Sequence, residues 1–123
     1  MERKLSVNMN TIDKVKNIYK SIDDKLGIDI RIIDISKVSV LADYLVIAGG
    51  NNKNQVQAIV DNVTDELAKE KIHPNHVEGY SSGNWILLDY SDIIVHVFNQ
   101  EDRLFYDLER LWQDGNNLNI EEL

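Results

Sequence analysis

The sequence predicts an α/β fold, a mixed sheet of about five strands with helices packed on it. Three observations predict it. Runs with strand-like and helix-like periodicity alternate along most of the chain. Residues 85–89 and 93–98 form two runs rich in β-branched and aromatic residues, closed into a hairpin by Tyr90-Ser91-Asp92. Alternation puts Ile94, His96 and Phe98 on one face of that hairpin and Ile93, Val95 and Val97 on the other. Both faces are largely apolar, so the sheet is expected to be covered on both sides.

The elements follow in order. After a short polar lead, Asn10 and Thr11 supply N-cap candidates, and Ile12, Val15, Ile18, Tyr19, Ile22 and Leu26 recur at helical spacing. This is an amphipathic helix through Lys25, ended by Gly27. Residues 28–35 alternate β-branched with polar side chains and read as a first strand. A polar connector over 36–43 leads into residues 44–48, a more fully buried strand that stops at Gly49-Gly50. Asn52-Lys-Asn-Gln55 has a capping-box pattern and opens a helix to about Lys71, with Val56, Ile59, Val60, Val63 and Leu67 on one stripe. Pro74 breaks the chain, and residues 76–80 form a third strand. If that strand is parallel to the second, a right-handed crossover makes one β-α-β unit. Ser81-Ser-Gly-Asn84 is a turn feeding the hairpin, so the last three strands form a meander. Asn99, with Asp102 three residues on, caps a final helix whose stripe of Leu104, Phe105, Leu108, Leu111 and Trp112 is expected to pack on the sheet. Arg103, Tyr106 and Arg110 lie on another side. Gly115-Asn-Asn ends that helix, and the tail to Leu123 is expected to be mobile.

With 123 residues and 43% apolar content, the chain suits one domain over 1–123. Its core spans about 11–114, between a polar lead and an acidic tail. The absence of cysteine excludes disulfides, thiolate zinc sites and cysteine nucleophiles, and is compatible with a reducing cytoplasm. No apolar run reaches signal-peptide length or the roughly 18–20 residues of a membrane span, so a soluble, unprocessed cytoplasmic protein is expected. A net charge of −8 argues against nucleic acid as a direct ligand and favours a basic protein partner. Residues 85–114 hold 7 acidic and 2 basic groups, so the acidity is concentrated on the hairpin and last helix.

Candidate chemistry is sparse. Gly49-Gly50, between a strand and a helix N-terminus, could approach a phosphate, but it lacks the lysine of a P-loop and the third glycine of a dinucleotide fingerprint, which favours a tight turn. Asp89 and Asp92 could bind magnesium for nucleotidyl transfer, yet they flank a turn, where aspartate is favoured for local hydrogen bonds. His73 and His76 have Pro74 between them and no third ligand nearby, and read as loop histidines rather than a zinc site. His96 reads as a hydrogen-bonded residue on a packed or interfacial face, with a catalytic base as the sharper alternative. Trp85 and Tyr106 are interface anchors if exposed and core if buried.

A family resemblance rests on an ordered set of motifs. These are Asp43-Tyr-Leu-Val-Ile-Ala-Gly-Gly50, Glu78-Gly79, Trp85-Ile-Leu-Leu-Asp-Tyr90, Val95-His-Val-Phe98 and Arg103-Leu-Phe-Tyr-Asp-Leu-Glu-Arg-Leu-Trp112. Across about residues 11–114 the chain resembles the ribosomal silencing factors, also called Iojap-like proteins. The resemblance implies a fold like a nucleotidyltransferase core without its catalytic acidic residues, hence no enzyme activity, cofactor or metal. It implies a factor that binds the large ribosomal subunit through ribosomal protein number fourteen, blocks joining of the small subunit and represses translation when nutrients are short. A homodimer of the free protein is a further reading that rests only on the apolar sheet faces. Ala42 and Asn51 depart from the family's usual polar and small hydroxyl residues. Taken with the acidic segment, the expected partner-contacting residues are Trp85, Asp89, Tyr90, Asp92, His96 and Tyr106. The alternative is a metal-dependent nucleotidyltransferase or nucleotide-binding protein.

Overall fold

The computed structural model describes residues 9–100 and 115–123. Helix α1, Thr11–Asp24, starts where Asn10 holds an extended backbone and its Oδ1 accepts the Asp13 N–H at 2.8 Å. Its buried stripe is Val15, Ile18, Ser21 and Ile22. The helix ends in a Schellman motif: Leu26 N–H donates to the Asp23 carbonyl at 2.9 Å and Gly27 N–H to the Ile22 carbonyl at 3.0 Å. Leu26, expected in the apolar stripe, occupies the left-handed position at φ 62 and is 77% exposed. Gly27 serves a different need, because a Cβ there would lie 2.3 Å from Ile22 Cγ2.

Strands β1 (Ile28–Asp34) and β2 (Tyr44–Gly50) are followed by helix α2 (Lys53–Ala68). Then come β3 (His76–Glu78), β4 (Trp85–Asp89), β5 (Ile93–Asn99), β6 (Asn116–Leu118) and a 3-10 turn, Ile120–Glu122. One mixed sheet runs β3-β4-β5-β2-β1-β6, parallel at β2–β5 and antiparallel at the other pairings. The fold class and the meander of β3, β4 and β5 are as expected, with six strands among the described residues rather than about five. The added strand comes from the tail expected to be mobile: Asn117 pairs with Ile33 and Leu118 with Ile32, and the 3-10 turn closes with a capping box from Asn119 and Glu122. Pairing with β1 supplies what the local sequence lacks. The β-α-β unit also differs in detail, since β4 and β5 lie between β2 and β3 and the parallel neighbour of β2 is β5.

At the start of α2, Asn52 Oδ1 accepts the Gln55 N–H at 2.9 Å, but Gln55 Oε1 reaches back to the Asn51 N–H, one residue beyond a standard capping box. The Gln55 amide also donates to the Lys25 and Leu26 carbonyls, tying α2 to the end of α1. The two helices cover one face of the sheet, where Val15, Ile18 and Ile22 of α1 and Val56, Ile59, Val60 and Val63 of α2 meet Val46, Ile86, Leu88, Val95 and Val97. On the outer face Ile33, Ile35, Ala42, Leu45, Ile47 and Phe98 form a second buried cluster. The final helix expected on residues 103–112 lies outside the described residues.

Candidate functional site

Alternation along β4 sends Ile86 and Leu88 toward the helices and leaves Trp85, Leu87 and Asp89 on the outer face. The register of β3 places Glu78 opposite Leu87 and His76 opposite Asp89, on that same face. The result is a strip of mixed chemistry at the sheet's edge. Trp85 is 39% exposed, Glu78 is exposed, Leu87 is half-buried, and the Asp89 side chain is 34% exposed. Glu78 and Leu87 belong to motifs of the family resemblance but not to the expected contact set, because cross-strand register is invisible to one-strand periodicity.

Trp85 is held in place from two directions. Its Nε1–H donates to His96 Nδ1 at 2.8 Å, and its ring stacks on Phe98 with centroids 5.1 Å apart and planes 25° from parallel. His96 in turn stacks on Phe98 at 6.2 Å. Accepting from Trp85 requires an unprotonated Nδ1, and burial pushes the His96 imidazole down to about 4. His96, expected as a partner contact, is corrected to a neutral, 6% exposed positioning group for the indole, because alternation along β5 puts it under the Trp85 ring. Trp85 is both exposed and anchored, which suits a preorganised contact residue.

The expected contact set does not converge on one point. Asp89 lies four residues along β4 from Trp85, roughly 13 Å away. Its Oδ1 accepts the Ser91 N–H at 2.8 Å, the ordinary work of a turn aspartate. Asp92 points to α1: its Oδ2 accepts from Lys14 Nζ at 2.8 Å and from Thr11 Oγ1 at 2.7 Å. Burial alone would raise the Asp92 carboxyl, but the bonds from Lys14 and Thr11 and the Lys14 charge outweigh it and hold it below the usual carboxylate range. Tyr90 needs correcting as an expected surface contact, because it is 5% exposed and packs in the core under the helices. The physical reason is alternation itself, which carries the inward face from Ile86 and Leu88 on to Tyr90. Tyr106 lies outside the described residues.

Among the described residues the buried Tyr90 hydroxyl has no hydrogen-bond partner, and burial pushes its ionisation well above the ordinary value. Tyr90→Phe removes an unsatisfied polar atom and keeps the ring. It is expected to stabilise the fold by about 1 kcal/mol in urea denaturation, and a loss of stability would show that the hydroxyl is satisfied in solution.

Gly49 and Gly50 are the last residues of β2, paired with Phe98 and Asn99, and form no turn. A Cβ on Gly50 would lie 2.9 Å from Val56 Cγ2, so this glycine lets α2 pack close to the strand. Among the described residues no cluster of three or more His, Asp or Glu could hold a metal ion, and no helix is long and apolar enough to cross a membrane.

Comparison with known proteins decides the family. The family model described as "Ribosomal silencing factor during starvation" matches residues 8–123. The chain belongs to the ribosomal silencing factor family. Ribosomal silencing factor RsfS of Bacillus subtilis is 38% identical over 107 residues, covering 87% of this chain and 91% of that protein. The mitochondrial Iojap-related protein of Arabidopsis thaliana is 30% identical over 111 residues, covering 85% of this chain and 59% of that protein. In three dimensions the chain is similar to protein CV0518 of Chromobacterium violaceum, with a TM-score of 0.81 at 32% identity over 85% of this chain and 88% of that one. A protein of Bacillus halodurans gives a TM-score of 0.78 at 30% identity, covering 85% and 95% of the two chains. The ribosomal silencing factor family that the sequence motifs suggested is thus the family to which the chain belongs.

Proposed function

We propose that this ribosomal silencing factor binds the large ribosomal subunit through ribosomal protein number fourteen, keeps the small subunit from joining and so represses translation when nutrients are short. The observation that carries the reading is the outer-face strip around Trp85, in which a fixed aromatic ring shares a cleft with Glu78 and Asp89 lies farther along the same face. Such a surface suits a basic ribosomal protein, with charge aiding encounter and the indole supplying buried contact. No bond is made or broken in this role. Inhibition is steric, and its extent follows the fraction of large subunits occupied.

Co-sedimentation with isolated large subunits at near-physiological salt tests the binding, and light scattering on adding small subunits tests the block. Binding that delays joining supports the reading; absence of binding ends it. Trp85→Ala is expected to weaken binding by about 1–2 kcal/mol, roughly 5- to 30-fold, with the circular dichroism spectrum unchanged. Unaltered affinity would move the interface away from this strip.

A further inference from the structure

A cleft of about 260 Å³ opens at the β3–β4 edge of the outer face, lined by Glu78, Gly79, Trp85 and Leu87. Each wall has a distinct chemistry. Phe98 covers one side of the Trp85 ring, and His96 takes its only N–H donor, so what Trp85 offers the cleft is π surface. Glu78 lies across from Leu87, exposed and without an ion-pair partner among the described residues. Gly79, at φ 81, presents bare backbone, since a Cβ there would lie 2.0 Å from the Trp85 carbonyl oxygen. Leu87 supplies an apolar floor.

A carboxylate, an aromatic face and an apolar floor in one open cleft suit a flat cation on an apolar stem. We infer that this cleft seats an arginine side chain of the protein partner, with the guanidinium against the Trp85 ring and paired with the Glu78 carboxylate. The identity of that partner rests on the silencing role proposed above. Arginine fits better than lysine, because a planar guanidinium lies flat on an indole and forks onto a carboxylate, whereas an ammonium is a compact and strongly hydrated charge. The chain's net charge of −8 favours approach of such a basic group.

The test uses the full chain and three blocked tripeptides, acetyl-Gly-X-Gly-amide with X arginine, lysine or the neutral isostere citrulline. Titrated at millimolar concentration in ¹H–¹⁵N spectra, the arginine peptide is expected to shift the Trp85 Nε1–H and Gly79 N–H resonances saturably. The lysine peptide is expected to do so more weakly and citrulline not at all. Glu78→Gln, an exposed and nearly isosteric change, is expected to weaken the arginine response at least about 3-fold and to raise Kd for large subunits by about 5-fold. An equal response to citrulline, or no response to arginine, overturns the inference. If wild-type protein fails to bind large subunits, the silencing reading falls while the peptide titration still decides the cleft. If it binds and Glu78→Gln changes neither measurement, the cleft inference falls and the silencing reading stands.

Discussion

Phe98→Ala is expected to destabilise the fold by about 3–5 kcal/mol, the usual cost of emptying a phenylalanine site in a close-packed core. Phe98 is 0% exposed and packs with Ile33, Ile35, Leu45 and Ile47 on the outer face. It is also the surface on which the Trp85 ring rests at 5.1 Å and the His96 ring at 6.2 Å. The substitution therefore leaves a cavity and removes the support of the indole. Against a typical stability of about 5–15 kcal/mol, the loss corresponds to a fall in Tm of roughly 10–25 °C. Urea and thermal denaturation read it directly. A cost under about 1 kcal/mol would mean that the outer face is not packed around this ring.

The pH dependence of stability gives the second large effect, and its sign follows from His96. In the folded protein burial pushes the imidazole down to about 4 from the ordinary 6.5 of the unfolded chain. Stability from this group is fully present above about pH 6.5, because both states then hold neutral histidine. As the pH falls the unfolded chain takes up the proton first and stability drains away. The loss levels off near pH 4, where the folded His96 is protonated as well, and by then amounts to about 3 kcal/mol. Protonation also sets two donors, His96 Nδ1–H and Trp85 Nε1–H, against each other where one hydrogen bond of 2.8 Å now stands. His96→Gln, which cannot titrate, is expected to flatten the stability profile between pH 6.5 and 4. An unchanged profile in that variant would assign the loss to other groups. Asp92 contributes below this window, since its depressed carboxyl loses the Lys14 and Thr11 contacts only when it is protonated.

What the sequence made legible divides along physical lines. The hairpin of β4 and β5, both helices and their buried stripes follow from periodicity and caps, because those elements are stabilised largely by the residues within them. β6 was not legible, since Asn116-Asn117-Leu118 has little strand character and forms a strand only through its pairing with β1. At the candidate site Trp85 stood out in the sequence with its exposure left open, and its hydrogen bond to His96 and its neighbour Glu78 depend on cross-strand register. Tyr90 was misplaced on the surface although the alternation of Ile86 and Leu88 already pointed it inward. Its position in a turn carried more weight than its phase.

Both outer strands of the six-stranded sheet, β3 and β6, are three residues long. A margin that short presents few backbone donors and acceptors to another chain, so the sheet resists being extended edge to edge into aggregates. The same economy bears on recognition. A partner gains little by adding a strand and must approach the broad face instead, where discrimination depends on side chains rather than on main-chain pairing.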